Sequence, residues 1–368
     1  FSHLARRMGY AEKNGVSPAR RLRLDFENHT ALVRSFVEEQ LGREALPGPP
    51  QGNMADVVLS ASLPEEKRIS ILSESGFQNP SRGLVNLANL AGKGERKRIF
   101  AELAILAGDI LQSTPDPDMA LNNWERFVTA MEDPQEHFRD LLSQPRRAEI
   151  LLKIFSGSQF LSDTLIQEPQ LYNWVSEPEI ILKPRDDSTM TEAARKISSS
   201  CTSWEEWRSA LRQFRKREIL RIGTRDICLG TPLDNVVKEL SSLARVILMT
   251  ELERIFSYPE QAGIKTTGIS PTVADTSGPS HLSRGVSMMG FALLAFGKLG
   301  GKELNYSSDI DLLCMYDNKS NEVQKNREFY PKVVEVLRAD LSEHTTSGYA
   351  YRVDLRLRPY GRSGKLVQ

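Results

Sequence analysis

Apolar residues recur at three- and four-residue intervals through most of the first 256 positions, which is the spacing of amphipathic helices. In the opening segment, ALVRSFVEEQL puts apolar residues at this spacing with charges between them: Leu32, Val33, Phe36, Val37 and Leu41. From residue 64 to 256 the same spacing predicts a succession of helices, which breakers such as STPDPD and KPRDDST separate. Because strand-like alternation is scarce, we predict that this region is all-helical.

The pattern changes after Phe256. The stretch SYPEQAGIKTTGISPTVADTSGPSHLSRG is rich in Gly, Ser, Thr and Pro, which indicates a flexible insert. Two short apolar runs follow, MMGFALLAF and DIDLLCMY, then a helical pattern from Glu328 to Leu341, and YAYRVDLRLRP alternates with period two. The whole chain is therefore expected to be an α+β protein, with a large all-helical domain followed by a small core that contains a mixed sheet.

Composition shifts along the chain predict five parts. They are a helical segment at 1–45, interpreted as the end of a preceding domain, a linker at 46–63, a helical domain at 64–256, a flexible insert at 257–286 and a core at 287–368. The linker prediction rests on LPGPPQG, with three prolines and two glycines. The chain starts with Phe1, so we expect a piece of a longer polypeptide, with the core truncated at its C-terminal end.

Charge and cysteine content narrow the function classes. Lys plus Arg and Asp plus Glu each number 48, so no global field draws the protein to nucleic acid or to an anionic membrane. The longest apolar run, Met288 to Phe296, is less than half of the roughly 20 residues that a membrane helix needs. We expect a soluble, cytoplasmic protein with three reduced cysteines, and five histidines at the surface, since neither set shows metal-binding spacing.

The run DIDLL places two carboxylates next to each other. On a strand, Asp309 and Asp311 share one face while Ile310 and Leu312 share the other. Two neighbouring carboxylates in a cleft are costly unless a cation lies between them. Mg²⁺ prefers one or two carboxylates together with phosphate oxygens of a nucleotide, so the pair predicts a magnesium site.

A third carboxylate lies in YRVDLRLRP. If this segment is a strand, then Arg352, Asp354, Arg356 and Arg358 share a polar face. Beside the first strand, Asp354 would complete the metal site and activate an attacking group. The flanking arginines would then bind phosphate in forked geometry.

The glycine-rich turn GKLGG precedes the carboxylate pair. Backbone N–H groups at Gly297, Gly300 and Gly301 can approach a polyphosphate closely, because glycine has no Cβ, and Lys298 adds a positive charge. A glycine turn, two carboxylates and a third carboxylate on an arginine-bearing segment together indicate metal-assisted nucleotidyl transfer. The predicted catalytic residues and metal ligands are Asp309, Asp311 and Asp354.

The order of glycine turn, short helix and Ser-Asp-x-Asp, with Ser308 as its serine, resembles the polymerase-beta-type nucleotidyltransferase superfamily. Lys298 departs from the serine that many members have there. FGKLGGKELNYSSDIDLL together with YRVDLRLRPYGRSGKLV closely resembles the glutamine synthetase adenylyltransferase family. The likeness extends more weakly to LRQFRKREILRIGTRDI, to LLKIFSGSQFLSDTLIQEPQLYNWV and to the opening LARRMGYAE segment.

This resemblance implies a polymerase-beta-like core, Mg²⁺ as cofactor and ATP as substrate. It implies that Asp309, Asp311 and Asp354 bind metal, and that Gly297, Lys298, Gly300, Gly301, Ser308, Arg356 and Arg358 bind the nucleotide. Glutamine synthetase is the implied protein substrate, a PII-type signal protein is a candidate partner, and neither nucleic acid nor membrane is expected.

Members of the family have two catalytic halves, one attaching AMP to a tyrosine of glutamine synthetase and one removing it by phosphorolysis. The helical opening segment favours the attaching half, while RVDLRLRPYGRSGKLV resembles the removing half at least as well. Both directions stay open.

Two other function classes compete with the enzymatic interpretation. One is a non-catalytic module that docks on glutamine synthetase or on a PII-type protein. The other is a nucleic-acid polymerase relative such as a tRNA nucleotidyltransferase, against which the neutral charge argues. The basic cluster in RQFRKREILRIGTRDI has apolar residues between its charges, which favours a salt-bridged helix that packs on the catalytic core.

Overall fold

The computed structural model describes residues 1–41, 52–61, 63–265, 285–288, 290–316, 323–345 and 348–357. Residues 46–51 and 62 of the predicted linker, 266–284 of the predicted insert, and Arg358 lie outside the described residues. The chain divides into two compact units. Unit 1 comprises Phe1–Ile181 with Ile227–Leu229, and unit 2 comprises Leu182–Asp226 with Gly230–Gln368. A compact unit need not be an independently folding domain, so the five predicted parts stay a prediction.

Unit 1 is built from helices. They are α1 (Ser2–Arg7), α2 (Pro18–Leu41), α3 (Met54–Leu59), α4 (Glu65–Glu74), α5 (Pro80–Ala91), α6 (Glu95–Leu111), α7 (Pro117–Thr129), α8 (Pro134–Ser143), α9 (Pro145–Gly157), α10 (Gln159–Gln167), α11 (Gln170–Val175) and α12 (Pro178–Ile181). Several begin with a polar cap followed by proline; the Asp116 side chain, for example, accepts a hydrogen bond from the Met119 amide at 2.8 Å.

The predicted helical run is confirmed, although the breaks are more frequent than the apolar spacing indicates. The helical apolar pattern runs on from Leu84 to Leu111, but the structure divides it between α5 and α6 at Gly92 and Gly94, which adopt φ of 58° and 62°. Within the predicted linker, α3 is a buried helix, because Asn53 and Asp56 form a reciprocal capping box before the apolar sequence MADVVL. Part of the predicted linker, Met54–Leu59, is therefore helical.

An aromatic cluster forms the core of unit 1. Trp124, Phe127 and Phe138 are almost fully buried, and their rings contact further aromatic rings at centroid distances of 5.1 to 6.2 Å. His137 packs against Phe127 at 5.5 Å and is buried, so the expectation that all histidines lie at the surface is wrong for this residue. Burial lowers the pKa of its imidazole to about 4.

Unit 2 combines helices with a sheet. Its elements are α13 (Asp187–Ser200), α14 (Trp204–Leu229, whose last turn belongs to unit 1), α15 (Leu233–Ser257), β1 (Gly285–Met288), β2 (Phe291–Phe296), α16 (Gly297–Gly301), β3 (Ile310–Tyr316), α17 (Val323–Ser342) and β4 (Val353–Asp354). The strand order is β1-β2-β3-β4, with two antiparallel pairs and a parallel pairing of β3 with β4. The α+β class and the mixed sheet are thus confirmed.

Helix α14 contains the basic cluster of the sequence, and several of its charges are buried, among them Arg212, Glu218 and Arg221. Arg221 is fully buried and its guanidinium lies 2.9 Å from Glu218 and 3.1 Å from Glu239. These two carboxylates offset the charge of the buried guanidinium. The prediction that this helix carries salt bridges is confirmed.

Two strand predictions need correction. The apolar run MMGFALLAF is interrupted at Gly290, where φ is 81°, so that β1 and β2 form a hairpin. The long alternating strand expected at YAYRVDLRLRP is reduced to Val353–Asp354. The Asp354 carboxylate accepts a hydrogen bond from the Arg356 amide at 2.8 Å, which turns the chain away and leaves Leu357 52% exposed.

All three cysteines are free, and Cys314 is buried. Within the described part of the chain, no helix combines the length and the apolar character that crossing a membrane requires.

Candidate active site

The centre of the candidate site is the junction of β2, α16 and β3. Phe296 at the end of β2 is opposite Asp311 on β3, so the glycine turn that follows Phe296 begins beside this carboxylate. Gly297 has φ of +54°, and a Cβ at this position would lie 2.5 Å from Asp311 Oδ2. Only glycine lets the backbone come so close to the carboxylate. On the opposite face of β3, Ile310 and Leu312 are buried, as the alternating pattern predicts.

Asp354 lies beside Asp311. Strands β3 and β4 are parallel, and the register places Ile310 opposite Val353 and Asp311 opposite Asp354. Residues opposite one another in neighbouring strands carry their side chains on the same face of the sheet. Asp354 therefore lies on the strand beside β3 and on the same face of the sheet as Asp311, as the sequence pattern predicts.

Two arginines pair with the outer carboxylates. Arg352 Nε donates to Asp309 Oδ1 at 2.5 Å and Arg352 Nη2 donates to the Ser307 carbonyl at 2.9 Å. Arg356 Nε donates to Asp354 Oδ2 at 2.7 Å. The hydrogen bond to Asp354, and then the charges of Asp354, Asp311 and Asp309, raise the pKa of Arg356, which shows that all three carboxylates act on one guanidinium.

The donor set fits a hard divalent cation in type, since it consists of carboxylates at an accessible edge. Asp309 and Arg352 are about half exposed, and Asp311 accepts no side-chain or amide hydrogen bond among the described residues. In the described part of the chain, however, no group of three or more His, Cys, Asp or Glu side chains is arranged to hold a metal ion. Asp309 and Asp354 are instead paired with Arg352 and Arg356.

The other predicted binding residues are distributed around this centre. Lys298 is exposed on α16, and a Cβ at Gly300 would lie 2.5 Å from the Ala295 carbonyl oxygen, so this glycine permits close packing of α16 on β2. Gly301 has ordinary space around it. Ser308 closes a turn by donating from its hydroxyl to Asn305 Oδ1 at 2.5 Å.

The sequence pattern did not reveal the contacts that anchor this loop. The Tyr306 hydroxyl donates to Asp226 Oδ2 at 3.0 Å, and the Leu304 amide donates to Ser241 Oγ at 3.0 Å. Burial and the charge of Asp226 raise the pKa of Tyr306. The one available signal was position: Tyr306 comes three residues before the first aspartate of the pair.

The sequence model of the glutamate-ammonia ligase adenylyltransferase family matches residues 148–368, more than half of the chain. The chain belongs to this family. The matched range includes the glycine turn and all three aspartates.

Curated relatives support the same family. The bifunctional glutamine synthetase adenylyltransferase/adenylyl-removing enzyme of Methylococcus capsulatus is 31% identical, over 91% of this chain and 36% of the relative. The enzyme of that name from Thioalkalivibrio sulfidiphilus is 26% identical, over 99% of this chain and 38% of the relative. The one from Shewanella loihica is 29% identical over 68% of this chain and 24% of its own length. The matched part of the chain thus spans between 24% and 38% of the length of these relatives.

Proposed function

We propose that this chain carries a Mg²⁺-dependent nucleotidyl-transfer site that adds AMP from ATP to a tyrosine of glutamine synthetase, or removes it by phosphorolysis. The observation that carries the proposal is the pairing of Asp311 with Asp354, next to a glycine whose missing Cβ makes room for the Asp311 carboxylate. We propose that β2, α16, β3 and β4 correspond to a polymerase-beta-like core. The names of the relatives support glutamine synthetase as the protein substrate.

The proposed roles follow from position. Asp309 and Asp311 would hold Mg²⁺ and orient the nucleotide phosphates, while Asp354 would complete the metal site and accept the proton of the attacking group. A bound Mg²⁺ would neutralise the developing charge on the phosphates. The backbone at Gly297, Gly300 and Gly301, with Lys298, binds the polyphosphate, and Ser308 shapes the turn before the first aspartate.

The arginines have two roles in this proposal. Without nucleotide, Arg352 and Arg356 neutralise Asp309 and Asp354, which would otherwise repel one another. Their guanidinium groups are exposed at 55% and 68%, so they can turn toward a phosphate when a cation takes over the carboxylates. Arg358 is proposed to add to this phosphate contact, and a PII-type signal protein is proposed as the regulatory partner.

The test measures nucleotide binding and AMP transfer separately. The chain is titrated with Mg·ATP by calorimetry, and transfer of labelled AMP to glutamine synthetase is followed, as is phosphate-dependent release of ADP from adenylylated glutamine synthetase. Asp311→Asn should reduce transfer at least about 100-fold, because a metal ligand matters no less than the outer-shell groups around it. Asp234→Asn, an exposed carboxylate in the first turn of α15, is the matched control and should leave both readouts unchanged.

The two transfer assays decide the direction. Activity in neither direction, with no Mg·ATP binding by the unaltered chain, would refute the proposal. Tight binding to glutamine synthetase in that situation would instead support a non-catalytic docking module.

A further inference from the structure

One face of α14 reaches both chain segments that carry the site carboxylates. Arg212, Arg215, Ile219, Ile222 and Asp226 follow one another at intervals of three or four residues, so they share a single stripe of the helix. The two isoleucines are buried in the middle of the stripe. Polar side chains at its two ends therefore face the interior of unit 2 at points well separated along the helix axis.

At one end of the stripe, Arg212 binds the chain that leads to Asp354. Its guanidinium donates to the Asp340 carbonyl at 2.7 Å, to the Glu343 carbonyl at 3.1 Å and to the Gly348 carbonyl at 3.1 Å. The last carbonyls of a helix have no hydrogen-bond partner within that helix. At the end of α17 the Arg212 guanidinium supplies such a partner. Arg212 is only 2% exposed, and burial lowers its pKa.

Arg215 extends the same contact toward β4. Its guanidinium lies 4.6 Å from the centroid of the Tyr351 ring, which is a cation–π distance. The Arg352 carbonyl next to this tyrosine accepts a hydrogen bond from the Ile310 amide at 2.9 Å, which joins β4 to β3. Arg212 and Arg215 together contact Glu343 before, and Gly348 and Tyr351 directly ahead of, the strand that carries Asp354.

At the other end of the stripe, Asp226 binds the loop that leads to Asp309. It accepts the hydrogen bond of the Tyr306 hydroxyl at 3.0 Å, and Ser241 on α15 accepts the Leu304 amide. The loop between α16 and β3 is thus tied to the helices at two points, directly before the first aspartate.

We propose that α14 is the positioning element of the site: Arg212 and Asp226 set the relative placement of the segment that carries Asp354 and the loop that carries Asp309. The expected effect on nucleotide binding rests on the proposed function, whereas the placement of the two segments rests on contacts within unit 2. Parallel pairing of β3 with β4 involves only two residue pairs, so the sheet alone is a weak constraint on where Asp354 lies. The arginine supplies three further hydrogen bonds to the same segment.

The test compares Arg212→Gln, Arg212→Lys and Tyr306→Phe with a control, Arg195→Gln. Arg195 forms an ion pair with Glu253 on the surface of unit 2 and is 48% exposed, so its loss controls for removing a paired helical arginine. The readouts are hydrogen–deuterium exchange of peptides covering 304–311 and 343–354, affinity for Mn·ATP, and the KM for ATP against kcat in the transfer assay.

Arg212→Gln should raise exchange in 343–354 selectively and weaken Mn·ATP binding about tenfold, the effect expected of a group that orients metal ligands. Arg212→Lys should restore part of the exchange protection and part of the Mn·ATP affinity relative to Arg212→Gln, because lysine keeps a charged donor but cannot bond three carbonyls at once. Tyr306→Phe should raise exchange in 304–311 instead, with a smaller loss of affinity. The Arg195→Gln control should change neither peptide.

Unchanged exchange in 343–354 for a folded Arg212→Gln protein, or an equal rise over all of unit 2, would overturn the inference. If this variant does not fold, Tyr306→Phe decides: no selective change in 304–311 overturns it as well. If the unaltered chain binds no Mn·ATP, the proposed function fails, while the exchange pattern still tests whether α14 holds the two segments.

Discussion

Replacing Gly297 by alanine perturbs the candidate site at its narrowest point. The added Cβ would lie 2.5 Å from Asp311 Oδ2, whereas ordinary contact begins at 3.4 Å, so the carboxylate would have to retreat by about 0.9 Å. The backbone is also strained, because φ is +54° and an L-residue in this region costs about 1–2 kcal/mol. A misplacement of about 1 Å in a catalytic group can reduce the rate about 100-fold.

We therefore expect Gly297→Ala to lower the unfolding free energy by about 1–2 kcal/mol and to reduce nucleotidyl transfer about 100-fold. The assay pairs urea unfolding with Mg·ATP titration and AMP transfer. Gly300 and Gly301 of the same turn make matched positions. Alanine at 300 introduces a close contact without a positive φ, and alanine at 301 introduces neither.

Gly301→Ala is the control for stability, because its Cβ would meet nothing closer than 3.5 Å and its φ is not positive. Alanine in a helix is favoured over glycine by roughly 0.5–1 kcal/mol, so this variant should be unchanged or slightly stabilised. Gly300→Ala should destabilise the turn, because its Cβ would lie 2.5 Å from the Ala295 backbone oxygen. Equal effects of alanine at 297 and 301 on the unfolding free energy would refute this account of the turn.

Three further outcomes can be checked. The pKa of His137 is lowered to about 4, below its usual 6.5, so unfolded chains bind a proton more readily and stability should fall by about 3 kcal/mol between pH 7 and pH 4. His137→Leu should lose that part of the acid sensitivity in urea titrations, and equal slopes for both proteins would contradict the assignment. Burial, with the nearby Asp340 charge, raises the pKa of Glu251. The stability that protonated Glu251 contributes is therefore fully present below about pH 4.5 and declines as pH rises, by up to about 1.4 kcal/mol per pH unit. Glu251→Gln, which keeps an acceptor for the Trp207 indole N–H, should flatten this decline above pH 5 in thermal melts; a steeper decline would argue against it. Burial raises the thiol pKa of Cys228 and of Cys314 to about 12, so iodoacetamide at pH 8 should alkylate neither until the protein unfolds, as mass spectrometry of the labelled peptides would show.

The local features of this protein follow from short-range sequence patterns. Helical spacing identified the helical region, and alternation identified β3 with its buried Ile310 and Leu312. The glycine turn before the aspartate pair was also predictable, because a strand, a tight turn and a second strand depend on residues close together in the chain. Misplaced boundaries, such as the division at Gly92 and the hairpin at Gly290, arose where single glycines interrupt an otherwise continuous apolar pattern.

The relations between distant segments depended on the tertiary structure. The end of β4 is a local exception, because the Asp354 carboxylate closes a turn with the amide of Arg356 two residues on, which the alternation of YRVDLRLRP does not reveal. The pairing of Arg352 with Asp309 joins residues 43 positions apart, and Arg212 reaches carbonyls more than a hundred residues away. Residue spacing indicated which groups carry the chemistry; their mutual distances follow from long-range packing of α14, α17 and the sheet, to which side chains far from the motifs contribute.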